Sequence, residues 1–480
     1  MRPLSRFLMI CLFVGLLWPV LQAVPASAQS LPELPPESLL TDPVFARRGF
    51  AGLANLYANR TRYLLAINVD NQRGRLEGKA RVIFVNTAGV VLNEVLFRLY
   101  PNHPTHGGRQ MRINALSVNG QVTEGQFRDN AQTVLAVPLP SAIHSGGSAI
   151  FEFDYTITVP AGASFYYVSE PFPMVAVYDP SLGWRQEVAT NGLDYAFSES
   201  ALFAVNLRAP TNMGTWFVGA IKSSQESPDG TTTYTIVTGP VRNFLVLQAR
   251  GWGVIDVPGA AVPIRVLYSG SAAVAQEIAN IAVAAFNFFD TQISPYPYSE
   301  FDIVVMRFPS GGEEYPWIVF VNNERDSAYR RFITAHEVAH QWFYGIAGND
   351  TMRSAWLDES LVQVASYLFY QQTGYASADE FWTFVMRWGS RYTGAKLIDT
   401  PLDQFASFEE YMSTTYGAGA VFLREVAEQI GVPQFLAGLR VYTQTVNLGI
   451  GTPVQFFNAI QGQTPQNLRP LFCQRVGIMC

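Results

Sequence analysis

The chain has 480 residues, of which 49% are hydrophobic, 13% aromatic and 15% charged. This composition excludes a largely disordered protein, which would be polar, highly charged and poor in aromatic residues. The formal net charge is -6, and the lysines and arginines form no block along the chain. We therefore expect no nucleic-acid partner, because binding to a phosphate backbone needs a basic stripe.

The N-terminal segment has the pattern of a secretory signal peptide. Arg2 and Arg6 precede an apolar run over residues 7–21, and Ala26-Ser27-Ala28 supplies small residues before Gln29. This pattern predicts a signal peptide over residues 1–28 and a secreted or periplasmic protein, with an uncleaved N-terminal anchor as the alternative. The later apolar segment at 279–289 is too short to span a bilayer and predicts a buried helix, so we expect no stable membrane span after signal removal.

Two domains are predicted after a proline-rich linker at residues 29–44. Residues 45–255 are predicted to form a β-sheet domain, because short β-branched and aromatic runs alternate with Gly, Pro, Asn and Asp clusters, as in an antiparallel sheet. These runs lie at 63–69, 80–85, 150–155 and 203–207. Residues 256–480 are predicted to form a mostly helical domain with one buried strand at 301–306. Its predicted helices cover 272–289, 328–344, 354–371, 378–392 and 417–430.

The sequence His336-Glu337-Val338-Ala339-His340 lies inside one of these predicted helices. Residues at i and i+4 share one helix face, so both imidazoles can bind one ion, while Glu337 can take a proton from a metal-bound water. Glu359 follows His340 after 18 intervening residues and opens the next predicted helix. Two histidines and one glutamate with a fourth position open for water are typical of a catalytic zinc site. We therefore predict one zinc ion per chain, bound by His336, His340 and Glu359.

These motifs resemble the aminopeptidase N family of gluzincin zinc peptidases, which includes leukotriene hydrolase. The resemblance implies a saddle-shaped N-terminal β-sheet domain followed by a thermolysin-like α/β catalytic domain. Gly311-Gly312-Glu313-Glu314-Tyr315 stands where the family has Gly-Ala-Met-Glu-Asn. The resemblance implies that Gly311 and Gly312 border the substrate backbone and that Glu314 binds the free α-amine of a peptide. It also implies that Tyr416, in Tyr416-Gly417-Ala418-Gly419, stabilises the oxyanion, with Tyr411 as the competing tyrosine.

The chain departs from the family pattern in three places. Ala418 stands where a lysine is usual, and Glu313 replaces an apolar residue, so we expect added negative potential near the first substrate side chain. Too few residues follow Tyr416 for the large helical domain that usually comes next, so we expect a more open site. The predicted function is an aminopeptidase, and a zinc endopeptidase or a non-catalytic peptide-binding protein are the alternatives.

Two cysteines, Cys473 and Cys480, remain after removal of the predicted signal peptide. In an exported protein such a pair can close a small loop, whereas two free thiols are the alternative. Spacing alone does not choose between them. The sequence does not indicate an oligomeric state.

Overall fold

The computed structural model describes residues 30–32, 60–104, 111–187 and 197–480. The predicted signal peptide lies outside the described residues, as does the predicted linker apart from residues 30–32. The first half of the described chain is made of strands. They are, in chain order, β1 (Arg62–Asp70), β2 (Arg75–Val85), β3 (Leu92–Arg98), β4 (Met111–Val118), β5 (Gln121–Val122), β6 (Gln126–Phe127), β7 (Val134–Ile143), β8 (Ser148–Thr158), β9 (Phe165–Ser169), β10 (Met174–Val175), β11 (Tyr178–Asp179), β12 (Gly183–Trp184), β13 (Leu202–Pro210), β14 (Gly214–Phe217), β15 (Ala220–Ser227), β16 (Thr231–Val237) and β17 (Leu245–Ala249).

An eight-stranded sheet in the order β15-β16-β13-β1-β2-β8-β4-β5 forms the body of this half. Strand β2 alternates between buried and half-exposed residues, as expected for a sheet with one face on the core. Sheets β10-β3-β7-β6 and β14-β17-β9 complete the domain with the small β11-β12 pair. One feature differs from the predicted antiparallel sheet, because β1 and β13 run parallel, from Arg62 beside Leu202 to Asn68 beside Arg208.

The second half begins with a five-stranded mixed sheet in the order β18-β19-β20-β22-β21. The predicted domain boundary at residue 255 falls inside the first strand of this sheet. The strands are β18 (Gly253–Val257), β19 (Ile264–Tyr268), β20 (Phe301–Met306), β21 (Gly312–Tyr315) and β22 (Ile318–Asn322), and a short pair follows, β23 (Gly348–Asn349) with β24 (Ile450–Gly451). Strand β21 lies at one edge, so one side of its backbone carries no neighbouring strand within this sheet.

Nine α-helices among the described residues form the rest of this half. They are α1 (Ala272–Gln292), α2 (Ser327–Ala339), α3 (Glu359–Thr373), α4 (Ala378–Gly389), α5 (Phe408–Met412), α6 (Ala420–Ile430), α7 (Val432–Val446), α8 (Pro453–Gln461) and α9 (Arg469–Arg475). A β-sheet domain followed by a mostly helical domain confirms the predicted fold class. Cys473 and Cys480 form a disulfide, which answers the question that the sequence left open.

Helix α1 is longer than predicted and, by length and composition alone, could cross a membrane. Nine of its side chains, including Ile278, Phe286 and Phe289, are instead buried in the protein core. Phe286 and Phe289 both contact Trp342, with ring centroids 5.4 Å apart in each case. The structure therefore accounts for the apolar face of this helix by packing inside the protein.

The two halves are joined by hydrogen bonds at several points. Arg242 donates through Nη2 to the carbonyl of Gly449 (2.9 Å), and the Tyr298 hydroxyl donates to the carbonyl of Pro240 (2.9 Å). The guanidinium of Arg242 also packs against Gly348, where any side chain would collide with it. These contacts hold the strand-rich half against the helices that carry the predicted metal ligands.

Candidate metal centre

The predicted metal ligands come from two neighbouring helices. Asp326 caps helix α2 by accepting a hydrogen bond from the backbone N–H of Tyr329 (2.8 Å). His336 and Glu337 lie in the last turns of α2, and His340 is the residue at which the helix ends. Helix α3 begins at Glu359, after a short 3-10 helix at Ala355–Leu357 rather than as one helix from residue 354. The C-terminal end of α2 and the N-terminal end of α3, which carry the predicted ligands, therefore lie close together.

The three side chains converge on one point. His336 Nε2 lies 3.2 Å from His340 Nε2 and 3.3 Å from Glu359 Oε2, and the third separation, from His340 Nε2 to Glu359 Oε2, is 3.7 Å. Zinc bonds to nitrogen and oxygen of about 2.0–2.2 Å place tetrahedral ligands roughly 3.3–3.6 Å apart. All three residues are at most 5% exposed. The residues present therefore fit one zinc ion.

The protonation of the histidines also suits a metal. Burial, with a contribution from His340, lowers the pKa of His336 well below 6.5, so its imidazole is neutral at physiological pH. Neutral imidazole is the form that binds a metal ion. The spacing of His336, His340 and Glu359 was read from the sequence alone, and the structure brings all three donors together.

Asp358 is a neighbour of the metal site that the sequence analysis missed. Its Oδ1 lies 2.7 Å from His340 Nδ1, and both side chains are 1% exposed. This hydrogen bond fixes the imidazole so that Nε2 faces the metal position. Burial raises the pKa of Asp358 well above its usual value, opposed by the positive charge of Arg242 from the strand-rich half. Its place directly before Glu359 was the only available signal in the sequence.

We expect Asp358→Asn to weaken zinc binding by about 10–100-fold, the range measured when such outer carboxylates are removed. Asparagine keeps the shape, but its amide oxygen is a weaker acceptor than a carboxylate for the hydrogen bond from His340 Nδ1, so it supports a metal-bound imidazole less well. Competition with a chelator of known affinity measures the change. Asp399→Asn is the matched control, because Asp399 accepts a hydrogen bond from the Trp356 indole (2.8 Å) and touches neither histidine. Equal zinc affinity in wild type and Asp358→Asn would show that this contact does not support the metal.

The edge strand β21 lies beside the general-base candidate. A Cβ atom at Gly312 would lie 2.1 Å from Glu337 Oε1, so only glycine leaves room for that carboxylate. Gly311 has a φ of +108°, a conformation that favours glycine. Glu314, two residues after Gly312 on the same strand face, offers an oxygen within 4.8 Å of donor atoms of both Glu337 and His340. The predicted base and amine anchor therefore lie together.

Glu313 faces the opposite side of β21 from Gly312 and Glu314. Its two carboxylate oxygens accept hydrogen bonds from the hydroxyls of Tyr167 (2.9 Å) and Tyr315 (2.6 Å). Alternation along the strand explains this placement, because residues 312 and 314 share one face and 313 and 315 share the other. Glu313 thus joins the strand-rich half to the sheet of the second half.

Tyr416 lies in a π-helical segment, Ser413–Gly419, which includes the first three residues of the helix predicted at 417–430, so that the α-helix begins only at Ala420. Its ring is stacked on that of His336, with centroids 6.1 Å apart and an interplanar angle of 22°. Tyr411, the alternative tyrosine, is 2% exposed, and its ring centroid lies 5.8 Å from that of Tyr416. Single π-helical turns are frequent at functional sites because they re-aim side chains. Of the two tyrosines, Tyr416 is therefore the one beside the metal ligands.

Glu170 is a buried carboxyl group that no sequence pattern indicated. It follows β9 with a φ of +45°, is 0% exposed and accepts a hydrogen bond from Asn243 Nδ2 (2.8 Å). Burial, helped by the negative charge of Glu313, raises the pKa of Glu170 to about 8. Asn243 in turn accepts a hydrogen bond from the hydroxyl of Tyr344, a residue that follows helix α2 in the chain. The group is therefore largely neutral at pH 7.

Comparison with known proteins identifies the second half. Residues 278–474 match the model of the peptidase family M1 domain. A probable aminopeptidase 2 from Sulfurisphaera tokodaii is 27% identical over 139 residues, which are 27% of this chain and 17% of that protein. Leukotriene A-4 hydrolase from Xenopus laevis is 32% identical over 69 residues, 14% of this chain and 11% of that protein. The chain spans less than a third of the length of these curated relatives.

Solved structures resemble this chain over most of its length. The M1 zinc metallopeptidase from Deinococcus radiodurans has a TM-score of 0.60 at 18% identity, covering 84% of this chain and 89% of that one. A variant of that protein bound to a Tyr-Ser-Ala substrate has a TM-score of 0.62 at 17% identity, covering 87% and 93%. At this identity the likeness shows a shared fold. Residues 278–474 therefore match a peptidase family M1 domain, and the chain as a whole shares the fold of these solved structures.

Proposed function

We propose that this protein is a zinc-dependent aminopeptidase, which hydrolyses the first peptide bond of peptides that have a free N-terminus. The observation that carries the proposal is the position of Glu314, whose carboxylate lies within 4.8 Å of donor atoms of Glu337 and His340. A carboxylate at this distance from the catalytic centre can bind an ammonium group only about one residue from the reacting bond. The relative from Sulfurisphaera tokodaii, which is named a probable aminopeptidase, agrees with this proposal.

Each side chain has a distinct role in the proposed reaction. A zinc ion on His336, His340 and Glu359 would lower the pKa of its bound water and polarise the carbonyl of the first peptide bond. Glu337 accepts the water proton and passes it to the leaving amine. The Tyr416 hydroxyl donates a hydrogen bond to the oxygen on which negative charge develops.

Substrate orientation comes from the edge strand. Strand β21 is the last strand of its sheet, so an extended peptide can pair with it on the outer side, and Gly312 has no side chain to stand between that peptide and Glu337. Glu314 pairs with the α-ammonium, a charge-assisted contact of the strong kind. Together these contacts would align the first peptide bond, rather than an internal one, with Glu337.

Paired substrates test the proposal. We expect the acetylated form of a peptide to be hydrolysed roughly 30-fold or more slowly than the free-amine form, since loss of one partner of a buried charge pair costs about 2–5 kcal/mol. Glu314→Gln should lower kcat/KM for the free peptide by a similar factor and reduce the difference between the two forms. Glu313→Gln is the matched control, because its side chain faces away from Glu337. Equal cleavage of both forms by the wild type would favour an endopeptidase.

We also propose that the protein is exported. The N-terminal residue pattern and the Cys473–Cys480 disulfide both support this, since disulfides persist mainly in oxidising compartments. Mass spectrometry of the N-terminal peptide of the protein isolated from its source would test this proposal. We expect Gln29 as its first residue. A chain that keeps residues 1–28 and sediments with membranes would favour the anchored alternative.

A further inference from the structure

The geometry of the site gives the direction in which a substrate extends. If the ammonium lies at Glu314, as the proposed function requires, the first peptide bond lies beside Glu337, which borders Gly312. The chain beyond that bond then continues past Gly312 towards Gly311, antiparallel to β21. The Tyr329 hydroxyl lies at this end, 2.6 Å from the place that a Cβ atom of Gly311 would occupy. The leaving part of the substrate therefore meets Tyr329.

An aromatic wall continues from the metal ligands to this end of the site. Phe332, one helical turn before His336, is stacked on that imidazole with centroids 6.2 Å apart. Phe332 also contacts Phe384 of helix α4 at 4.9 Å and Tyr329 at 6.0 Å. Tyr329 and Phe384 meet edge to face at 5.8 Å. We call these three residues, Tyr329, Phe332 and Phe384, the aromatic wall.

Two arginines lie on the outer ends of the aromatic wall. The guanidinium of Arg325 is 5.2 Å from the ring centroid of Tyr329, and that of Arg387 is 4.4 Å from that of Phe384. Both arginines are exposed, and within the described ranges neither has a carboxylate oxygen within 4.0 Å. By contrast, Arg330 and Arg331 on helix α2 are paired with Glu277 and Glu380.

Both positive charges act on the same end of the site as the general base. The positive charges of Arg325 and Arg387 and the negative charge of Glu337 all act on the Tyr329 hydroxyl, which lies beside Gly311. Guanidinium groups are well suited to bind carboxylates, because their planar donors match the two oxygens. Two such groups at the leaving end also oppose the overall charge of the chain, which is -6.

We propose that Arg325 and Arg387 bind a carboxylate on the leaving side of the substrate. This inference rests on the proposed aminopeptidase function and names its substrate class. The carboxylate is either the C-terminus of a dipeptide or tripeptide or the side chain of an acidic second residue. The aromatic wall packs against the apolar part of that residue, and the two guanidinium groups select its charge. The preferred substrates are therefore dipeptides and tripeptides, or longer peptides whose second residue is acidic.

Four substrates with one common first residue separate the two sources of the carboxylate. An Xaa-Ala dipeptide and its C-terminal amide test the terminal carboxylate, whereas Xaa-Glu amide and Xaa-Gln amide test the side chain. We expect at least one acid to exceed its neutral partner in kcat/KM by about tenfold or more at low ionic strength. The ratio should fall as salt is added, because exposed charges are screened.

Variants connect this ratio to the two arginines. Arg325→Gln and Arg387→Gln should each lower the acid-to-amide ratio about two- to fivefold, and the double variant should bring it close to one. Because both substrates are hydrolysed by the same preparation, the ratio does not depend on the active fraction. Arg391→Gln is the matched control, since Arg391 lies over the Trp388 ring (5.1 Å) but is paired with Glu409 (3.2 Å). It should keep the wild-type ratio.

The outcomes distinguish this inference from the proposed function. Hydrolysis of all four substrates at similar rates by the wild type would overturn the inference and leave the aminopeptidase standing. A charge preference that the double variant retains would also overturn it, since the preference would then come from other groups. If none of the four free-amine substrates were hydrolysed, the proposed function would fail and the inference with it.

Discussion

Glu337→Gln should lower kcat by about 10²–10⁴-fold while zinc remains bound, which is the usual cost of removing a general base. The side chain is 3% exposed and fills the space left by Gly312, and glutamine has nearly the same shape. The three metal donors therefore keep their positions. What is lost is only the ability to accept a proton from the water, so the effect appears in kcat rather than in metal content.

Measuring kcat and zinc content on the same preparation tests this prediction. Glu300→Gln is a suitable control, because Glu300 is also partly buried and accepts a hydrogen bond from Arg265 (2.9 Å) outside the metal site. It should retain kcat within a few-fold of the wild type. A Glu337→Gln enzyme with full zinc and wild-type kcat would mean that another group takes the proton.

The metal ligands could be predicted from the sequence because their geometry is local. His336 and His340 share a helix face by periodicity alone, and the glycines between His340 and Glu359 signal a turn that brings the next helix back. The neighbours of this site depend on long-range contacts, which no local pattern specifies. Asp358 became a partner of His340 only through the packing of α2 against α3.

The same limit explains other differences in the fold. The parallel pairing of β1 with β13 joins residues about 140 positions apart, as in Tyr63 beside Phe203, and the alternating pattern of each strand is the same in either direction. The π-helical turn at Ser413–Gly419 likewise reflects packing, because Gly417 and Gly419 fit closely against Gly389 and Ser360. Glycines at these positions signal close approach but not which neighbour approaches.

The His336→Ala, His340→Ala double variant should lose zinc and turnover completely, because only Glu359 remains of the three predicted zinc ligands. Wild-type protein should bind one zinc ion per chain and be stabilised by it, by about 2.7 kcal/mol at a free zinc concentration 100 times Kd. The variant should show no such stabilisation. Metal analysis and thermal unfolding with and without added zinc measure both effects, and His144→Ala, an exposed histidine outside the site, is the control.

Wild-type protein stripped with a chelator provides a second approach if the double variant does not fold. Its buried donors, His336 at 5% exposure and Glu359 at 3%, then face each other without the ion that their spacing fits. Restoring one equivalent of zinc should recover turnover and raise the unfolding temperature together, since the same three side chains serve both. Stoichiometric zinc in the folded double variant would place the metal elsewhere, and Glu337 would then have no activated water within reach.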